Sequence, residues 1–246
     1  MSPAFAAGFP EAVLFDLDDT LFDHGHCSRA ALWSVRDEHP ALSRMPWEEL
    51  QGSYSRLLEE VHARLLDGEL TLREARRERF QRLFSELGEE APDDLVQSAV
   101  EGYARAYRGS WRLVPGAEEL LLEVGERATV AVVTNNLLAE QRDKLEALGI
   151  ARYVDVLVAS EEVGVAKPDP EIFRVALERV GCSPEEAVMI GDSWESDVVG
   201  ARAAGIPAVW LNRHGLACPG PALAYEIRSL DPQELVGLLS GLEASV

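Results

Sequence analysis

Three carboxylates within four positions, Asp16, Asp18 and Asp19, follow the apolar run Val13-Leu14-Phe15. A run this short and apolar suits a strand buried on both faces of a parallel sheet. Charges cannot lie inside such a strand uncompensated, because desolvating one costs several kcal/mol. The carboxylates are therefore expected at its carboxyl end, where α/β sheets hold their ligands. Alternation along an extended backbone puts Asp16 and Asp18 on one side and Leu17 on the other. Two carboxylates so close repel unless a cation or a shared proton lies between them. With oxygen ligands alone the expected cation is hard, Mg²⁺ first. A blander reading also fits these residues: a strand followed by an Asx-rich turn that caps a helix.

Three later segments repeat the pattern of a buried strand ending in groups the interior rejects. Thr129–Thr134 ends in Thr134-Asn135-Asn136. Val154–Ala159 is followed by Val165-Ala166-Lys167-Pro168, and Ala187–Gly191 runs into Gly191-Asp192-Ser193 with Asp197 behind it. In a parallel sheet these ends share one edge. That edge would gather four carboxylates, an ammonium, a hydroxyl and several backbone N–H groups, a set suited to a doubly charged phosphate with Mg²⁺. Each piece alone has an ordinary explanation as a cap or turn. Their order on successive strand ends is what argues for chemistry.

The elements needed to hold them are legible. Strands at 11–17, 129–134, 154–159, 187–191, 206–211 and weakly 227–230 alternate with helices at 116–126, 138–148, 170–180, 195–204 and from Pro232. Alternation of this kind predicts an α/β, doubly wound parallel sheet with a Rossmann-like core. Between Cys27 and Ser110 no strand pattern occurs. Four amphipathic segments (26–38, 46–66, 71–87 and 92–110) predict an inserted helical bundle, with Thr71 and Glu74 as a capping box. The expected division is a core of 1–22 and 112–246 and an α-helical cap of 23–111. Trp33, Trp47, Tyr54, Phe80 and Phe84 are expected in the bundle core. The Arg- and Glu-rich stretch Arg73–Arg82 is expected as a solvated face with i,i+4 ion pairs.

The chain has 246 residues, 47% hydrophobic, and a formal net charge of -20 from 43 acidic against 23 basic residues. Such a surface repels nucleic-acid backbones and anionic membranes, so neither is an expected partner. No run reaches the ~18 apolar residues of a membrane span. Met1–Pro10 lacks the charged and apolar regions of a secretory signal. Cys27, Cys182 and Cys218 are scattered and odd in number, which suits reduced thiols in cytoplasm rather than a disulfide framework. Lys occurs only at 144 and 167. In a chain that otherwise uses Arg, each Lys invites a chemical explanation.

Phe15-Asp16-Leu17-Asp18-Asp19-Thr20-Leu21, Val133-Thr134-Asn135, Lys167-Pro168 and Gly191-Asp192-Ser193 with Asp197 together resemble the motifs of the haloacid dehalogenase-like hydrolase superfamily. The resemblance spans nearly the whole chain, and the insertion after the first motif is similar to the subclass with a helical lid. It implies that Asp16 attacks phosphorus to form an aspartyl phosphate, and that Asp18 protonates the leaving alcohol and then deprotonates water. It implies Mg²⁺ held by the Asp16 carboxylate, the Asp18 main-chain carbonyl and the Asp192 carboxylate, with Asp197 orienting bound water or Lys167. Thr134, the backbone around Asn135, and Lys167 would hold the phosphate.

The function expected is a Mg²⁺-dependent phosphatase of a small phosphorylated metabolite, a nucleoside monophosphate or a sugar phosphate. Dehalogenases of the superfamily lack the carboxylate at the position of Asp18, and phosphonate cleavage needs a cap Lys that 22–111 does not contain. A sugar phosphomutase keeps all four motifs, and a non-catalytic binding protein could keep the fold. Specificity is expected from Asp23, His24, His26, Arg29 and bundle arginines. Oligomeric state is not readable from these residues.

Overall fold

The computed structural model describes residues 8–88, 90–220 and 224–241. Residues 1–7, which carry most of the reading of the amino-terminal stretch, lie outside them. Two compact units form, one from Met1–Asp23 with Arg112–Val246 and the other from His24–Trp111.

The first unit is built on a six-stranded sheet. Its strands are β1 (Ala12–Phe15), β2 (Thr129–Thr134), β3 (Val156–Ala159), β4 (Ala187–Gly191), β5 (Ala208–Leu211) and β6 (Tyr225–Ile227), in the order β3-β2-β1-β4-β5-β6. Every pairing is parallel. β1 is central and shielded on both faces, so all four of its residues are apolar and essentially inaccessible. Phe15 is level with Val132 on one side and Ile190 on the other. The carboxyl ends of β2 and β4 therefore finish beside that of β1, which is how residues over 100 positions apart in sequence come to one edge. The doubly wound α/β reading holds.

Some boundaries differ from expectation. The last strand is Tyr225–Ile227 rather than 227–230. β3 begins at Val156, because Asp155 turns its carboxylate to accept the Val130 N–H at 2.9 Å. The helix expected over 195–204 starts as a π-turn, Trp194–Val199, followed by one α-turn. Here the Val198 N–H reaches back five residues to the Ser193 carbonyl, while the Asp197 carboxylate accepts the Ser193 N–H at 2.9 Å. The wider turn is the kind of local irregularity found at functional sites.

The second unit holds α1 (His24–Glu38), α2 (Trp47–Leu66), α3 (Leu72–Glu86) and α4 (Asp93–Gly109). The capping box forms: Glu74 N–H donates to Thr71 Oγ1, and the Thr71 N–H donates to Glu74. Tyr54, Phe80 and Phe84 are fully buried, as expected. Trp33 is not; it is 47% exposed and lies edge-on to Trp47 with the Arg36 guanidinium over its ring. The bundle arginines pair mostly across helices, with Arg64 on Glu78, Arg77 on Asp93 and Arg82 on Glu60; within Arg73–Arg82 the i,i+4 contact is Arg82 with Glu78 at 3.7 Å. Exposed pairs of this type contribute about 0–1 kcal/mol each. Among the described residues no helix is long and apolar enough to cross a membrane.

Candidate active site

The carboxyl edge of the sheet is charged and largely buried. Asp16 follows β1 directly and is 7% exposed. Its Oδ1 accepts from Lys167 Nζ at 2.7 Å, and among the described residues no protein donor falls on Oδ2. Lys167, on the loop after β3, spends its three N–H groups on Asp16 Oδ1, on Asp197 Oδ1 at 2.6 Å and on the Val133 carbonyl at 2.8 Å. That loop is fixed by Asn135, whose Oδ1 accepts the Lys167 N–H and whose Nδ2 donates to the Lys167 carbonyl. The Asn135 side chain is thus a brace for Lys167.

Gly191 explains how Asp197 gets so close. A Cβ at that position would lie 2.2 Å from Asp197 Oδ2, so only a residue without one admits the carboxylate. On the next residue the Asp192 N–H donates to Thr20 Oγ1 at 3.1 Å, while the Thr20 hydroxyl donates to Asp192 Oδ1 at 3.3 Å. Carboxylate oxygens of Asp16, Asp192 and Asp197 lie within 4.8 Å of one another.

This crowding sets the ionisation of the site. Burial, helped by the neighbouring Asp197 and Asp18 and opposed by Lys167, raises the Asp16 carboxyl to about 7. Burial together with Asp16, Asp197 and Asp19 raises Asp192 to about 8. Burial alone would discharge Lys167, but Asp16 and Asp197 outweigh it and push its pKa upward. The set holds more negative charge than one ammonium neutralises, and oxygen donors in this number suit a hard divalent cation.

Asp18 is placed differently from Asp16. It points toward β2 and α6 (Leu138–Ala147; α5, Ala117–Gly125, precedes β2), where Lys144 Nζ lies 2.5 Å from Oδ1 and Gln141 Nε2 lies 2.9 Å from Oδ2. Gln141 Nε2 is also 2.6 Å from Thr134 Oγ1. Asp19, between the two functional stretches, adopts φ 65°, the left-handed conformation Asp tolerates better than most residues. It turns the chain so that Thr20 faces Asp192.

All of Asp16, Asp18, Thr134, Asn135, Lys167, Asp192 and Asp197 come to this one edge. Asp23 does not join them. Its carboxylate is taken by Arg112, at 2.6 and 2.9 Å, and by Arg213 at 3.0 Å, which hold it well ionised despite burial. Both of its oxygens pair with guanidiniums, Oδ2 with Arg112 and Oδ1 with Arg213. His24 belongs to the helical unit, with Nδ1 2.8 Å from the Tyr107 hydroxyl. Sequence reasoning carried Thr20 only as a member of the first motif, missed Gln141 and assigned Lys144 no role. A buried-face Thr one residue past the acidic run, and the scarcity of Lys, were the available signals.

Residues 10–205 match the family model for haloacid dehalogenase-like hydrolases. The chain belongs to that family. Phosphoserine phosphatase of Thermus thermophilus is 36% identical over 244 residues, covering 91% of this chain and 96% of the relative. Glyceraldehyde 3-phosphate phosphatase of Methanopyrus kandleri is 32% identical, covering 82% and 84%. Among solved structures, the HAD-hydrolase YfnB of Bacillus subtilis, crystallised bound to magnesium, superposes with a TM-score of 0.75 at 27% identity, covering 94% of this chain and 99% of that one. Within the family the chain is a phosphoric monoester hydrolase.

Proposed function

We propose that this hydrolase is a Mg²⁺-dependent phosphatase of small phosphomonoesters, working through an aspartyl phosphate on Asp16. The observation that carries the reading is the state of Asp16: one oxygen anchored by Lys167, the other without a protein partner among the described residues. That is the arrangement a carboxylate nucleophile needs. Asp16 Oδ2 forms the bond to phosphorus as the bond to the alcohol oxygen breaks, and the leaving oxygen takes a proton from the Asp18 carboxyl. A water oxygen then bonds phosphorus, the electron pair of the Asp16–phosphorus bond returns to Asp16, and the water's proton goes to Asp18. The Thr134 hydroxyl, backbone N–H groups near Asn135 and the Lys167 charge hold the equatorial oxygens. Asp16 and Asp192 with the Asp18 main-chain carbonyl would hold Mg²⁺, which when bound supplies positive charge to the phosphate oxygens. Asp197, tied to Lys167 and the Ser193 N–H, keeps that lysine in place.

The relatives' names speak of phosphoserine and glyceraldehyde 3-phosphate, both small phosphomonoesters. A phosphate-release panel should therefore include these beside nucleoside monophosphates and sugar phosphates. Release of inorganic phosphate from at least one is the expected result. Isomerised sugar phosphate with no free phosphate would instead identify a mutase. We assign specificity to the helical unit His24–Trp111, working as the cap. A cytoplasmic setting, without nucleic-acid or membrane partners, fits three reduced cysteines and the net charge of -20.

Metal binding has a signature independent of turnover. In metal-free protein the Asp16 and Asp192 carboxyls have folded pKa values near 7 and 8, above the ordinary 3.8. Raised values mean that the folded state holds protons the unfolded chain has lost. Their stabilisation is complete below the ordinary carboxylate range and fades as pH rises through the folded values. Mg²⁺ needs the deprotonated forms, so its stabilising effect grows over the same interval. Thermal melts with EDTA or with Mg²⁺ should show a small Mg²⁺-dependent rise in Tm at about pH 5.5 and a clearly larger one at about pH 8.5. An equal shift at both, or none, would remove these carboxylates as the metal site.

A further inference from the structure

The two lysines of the chain each pair with a different carboxylate of the strand-one motif. Lys167 on Asp16 belongs to the motifs already described. Lys144 does not. It projects from α6 with a side chain only 5% exposed, its Nζ 2.5 Å from Asp18 Oδ1 and 4.8 Å from the centre of the Phe22 ring. Gln141 sits one turn earlier on the same face of the helix, fully buried. Its Nε2 is shared between Asp18 Oδ2 and Thr134 Oγ1, while its Oε1 is buried with no partner among the described residues. Reversing the amide would aim that oxygen at the Asp18 carboxylate, so the orphaned acceptor is the consequence of keeping the donor on Asp18.

A purely structural role does not account for this. The position packs on Phe22, where Leu or Met would fill the space without desolvating a charge, and burying an ammonium costs several kcal/mol before any pairing. An unsatisfied buried carbonyl adds a further penalty. Both costs are incurred at Asp18, whose two oxygens are each gripped by a different donor. The Asn136 amide is 3.3 Å from Oδ2 on the same side.

We propose that Lys144 and Gln141 are positioning residues that aim the Asp18 carboxyl for its two proton transfers, with Gln141 also linking that aim to the phosphate-binding hydroxyl of Thr134. The proposal rests on the phosphatase reading above. Proton transfer requires the carboxyl within hydrogen-bond reach of the leaving oxygen and then of water, and a carboxyl free to rotate is misaligned most of the time. The donors act through Asp18 and touch no reacting atom themselves.

Leaving-group dependence separates this from a packing role. An alkyl phosphate such as phosphoserine or glycerol phosphate needs its departing oxygen protonated, whereas p-nitrophenyl phosphate expels a stable phenolate unaided. In Lys144→Met, kcat for whichever alkyl phosphate the protein hydrolyses should fall about 10- to 100-fold with KM changed less than about threefold. The first-turnover rate of p-nitrophenol release should fall less than about threefold, and a burst should appear because the second step also uses Asp18. Lys144→Arg, which keeps a charged N–H donor for Asp18, should move the alkyl-to-aryl ratio back toward that of the starting protein. Gln141→Leu should depress the ratio in the same direction, and it carries the test if Lys144→Met does not fold. Equal loss on both substrates, or an unchanged ratio, in the folded variants overturns the proposal. A starting protein inactive on every phosphomonoester would instead defeat the phosphatase reading itself.

Discussion

Asp16→Asn is expected to abolish phosphatase turnover, lowering kcat by at least about 10⁴-fold, while leaving the fold intact. The amide is isosteric but a poor nucleophile, and no other described carboxylate can replace it. Asp18 is given to the proton transfers, with its oxygens held by Lys144 and Gln141, and Asp197 has one oxygen on Lys167 and the other on the Ser193 N–H. Asp192 is held at Thr20. The substitution also removes one of the negative charges that crowd the site, so the metal-free variant should be no less stable than the starting protein near neutral pH. Phosphate release and thermal melts measured together decide the matter. Retained turnover would mean that Asp16 is not the nucleophile, whereas loss of turnover with a lowered Tm would show only damage.

Lys167→Met should produce the second large effect, and it should appear in stability as well as rate. The ammonium is the shared counter-ion of Asp16 and Asp197, all three groups lying out of solvent. Removing one partner of a buried ion pair costs about 3–5 kcal/mol, because a charge is left without compensation. The cost depends on pH in a defined direction. Lys167 lowers the Asp16 carboxyl against the pull of burial, so without it that carboxyl ionises at still higher pH. The folded variant then escapes part of the penalty by taking up a proton. Its deficit against the starting protein, from urea unfolding with EDTA present, should be largest at about pH 8.5 and shrink toward about pH 6. Turnover should fall at least about 10³-fold, since the charge beside the nucleophile is lost. A stability deficit that does not change with pH would show that the lysine packs rather than neutralises.

These predictions use groups that the sequence already marked. What the sequence determined by itself is the inventory of the strand ends and the sheet beneath them. Hydrophobic runs that stop at carboxylates are buried with the charges at a strand terminus, and strands alternating with helices favour a parallel sheet. Asp16, Thr134, Lys167 and Asp192 were therefore legible as neighbours before any coordinate. So was the capping box at Thr71, because it depends on residues three apart.

Only tertiary structure decided which partner each charge takes. Asp23 carries the same chemistry as Asp18, yet Arg112 and Arg213 consume it. Trp33 has the spacing of a core residue and lies on the surface. The turn after Ser193 has α-helical composition and opens into a π-turn, with the Asp197 carboxylate tied to both Lys167 and the Ser193 N–H. Thr20 reaches Asp192 across 172 positions, and Lys144 reaches Asp18 across 126. Periodicity assigns a residue to a face of its own element, because that depends on local backbone geometry. The distance between side chains on different elements is set by how those elements pack, which no local spacing records.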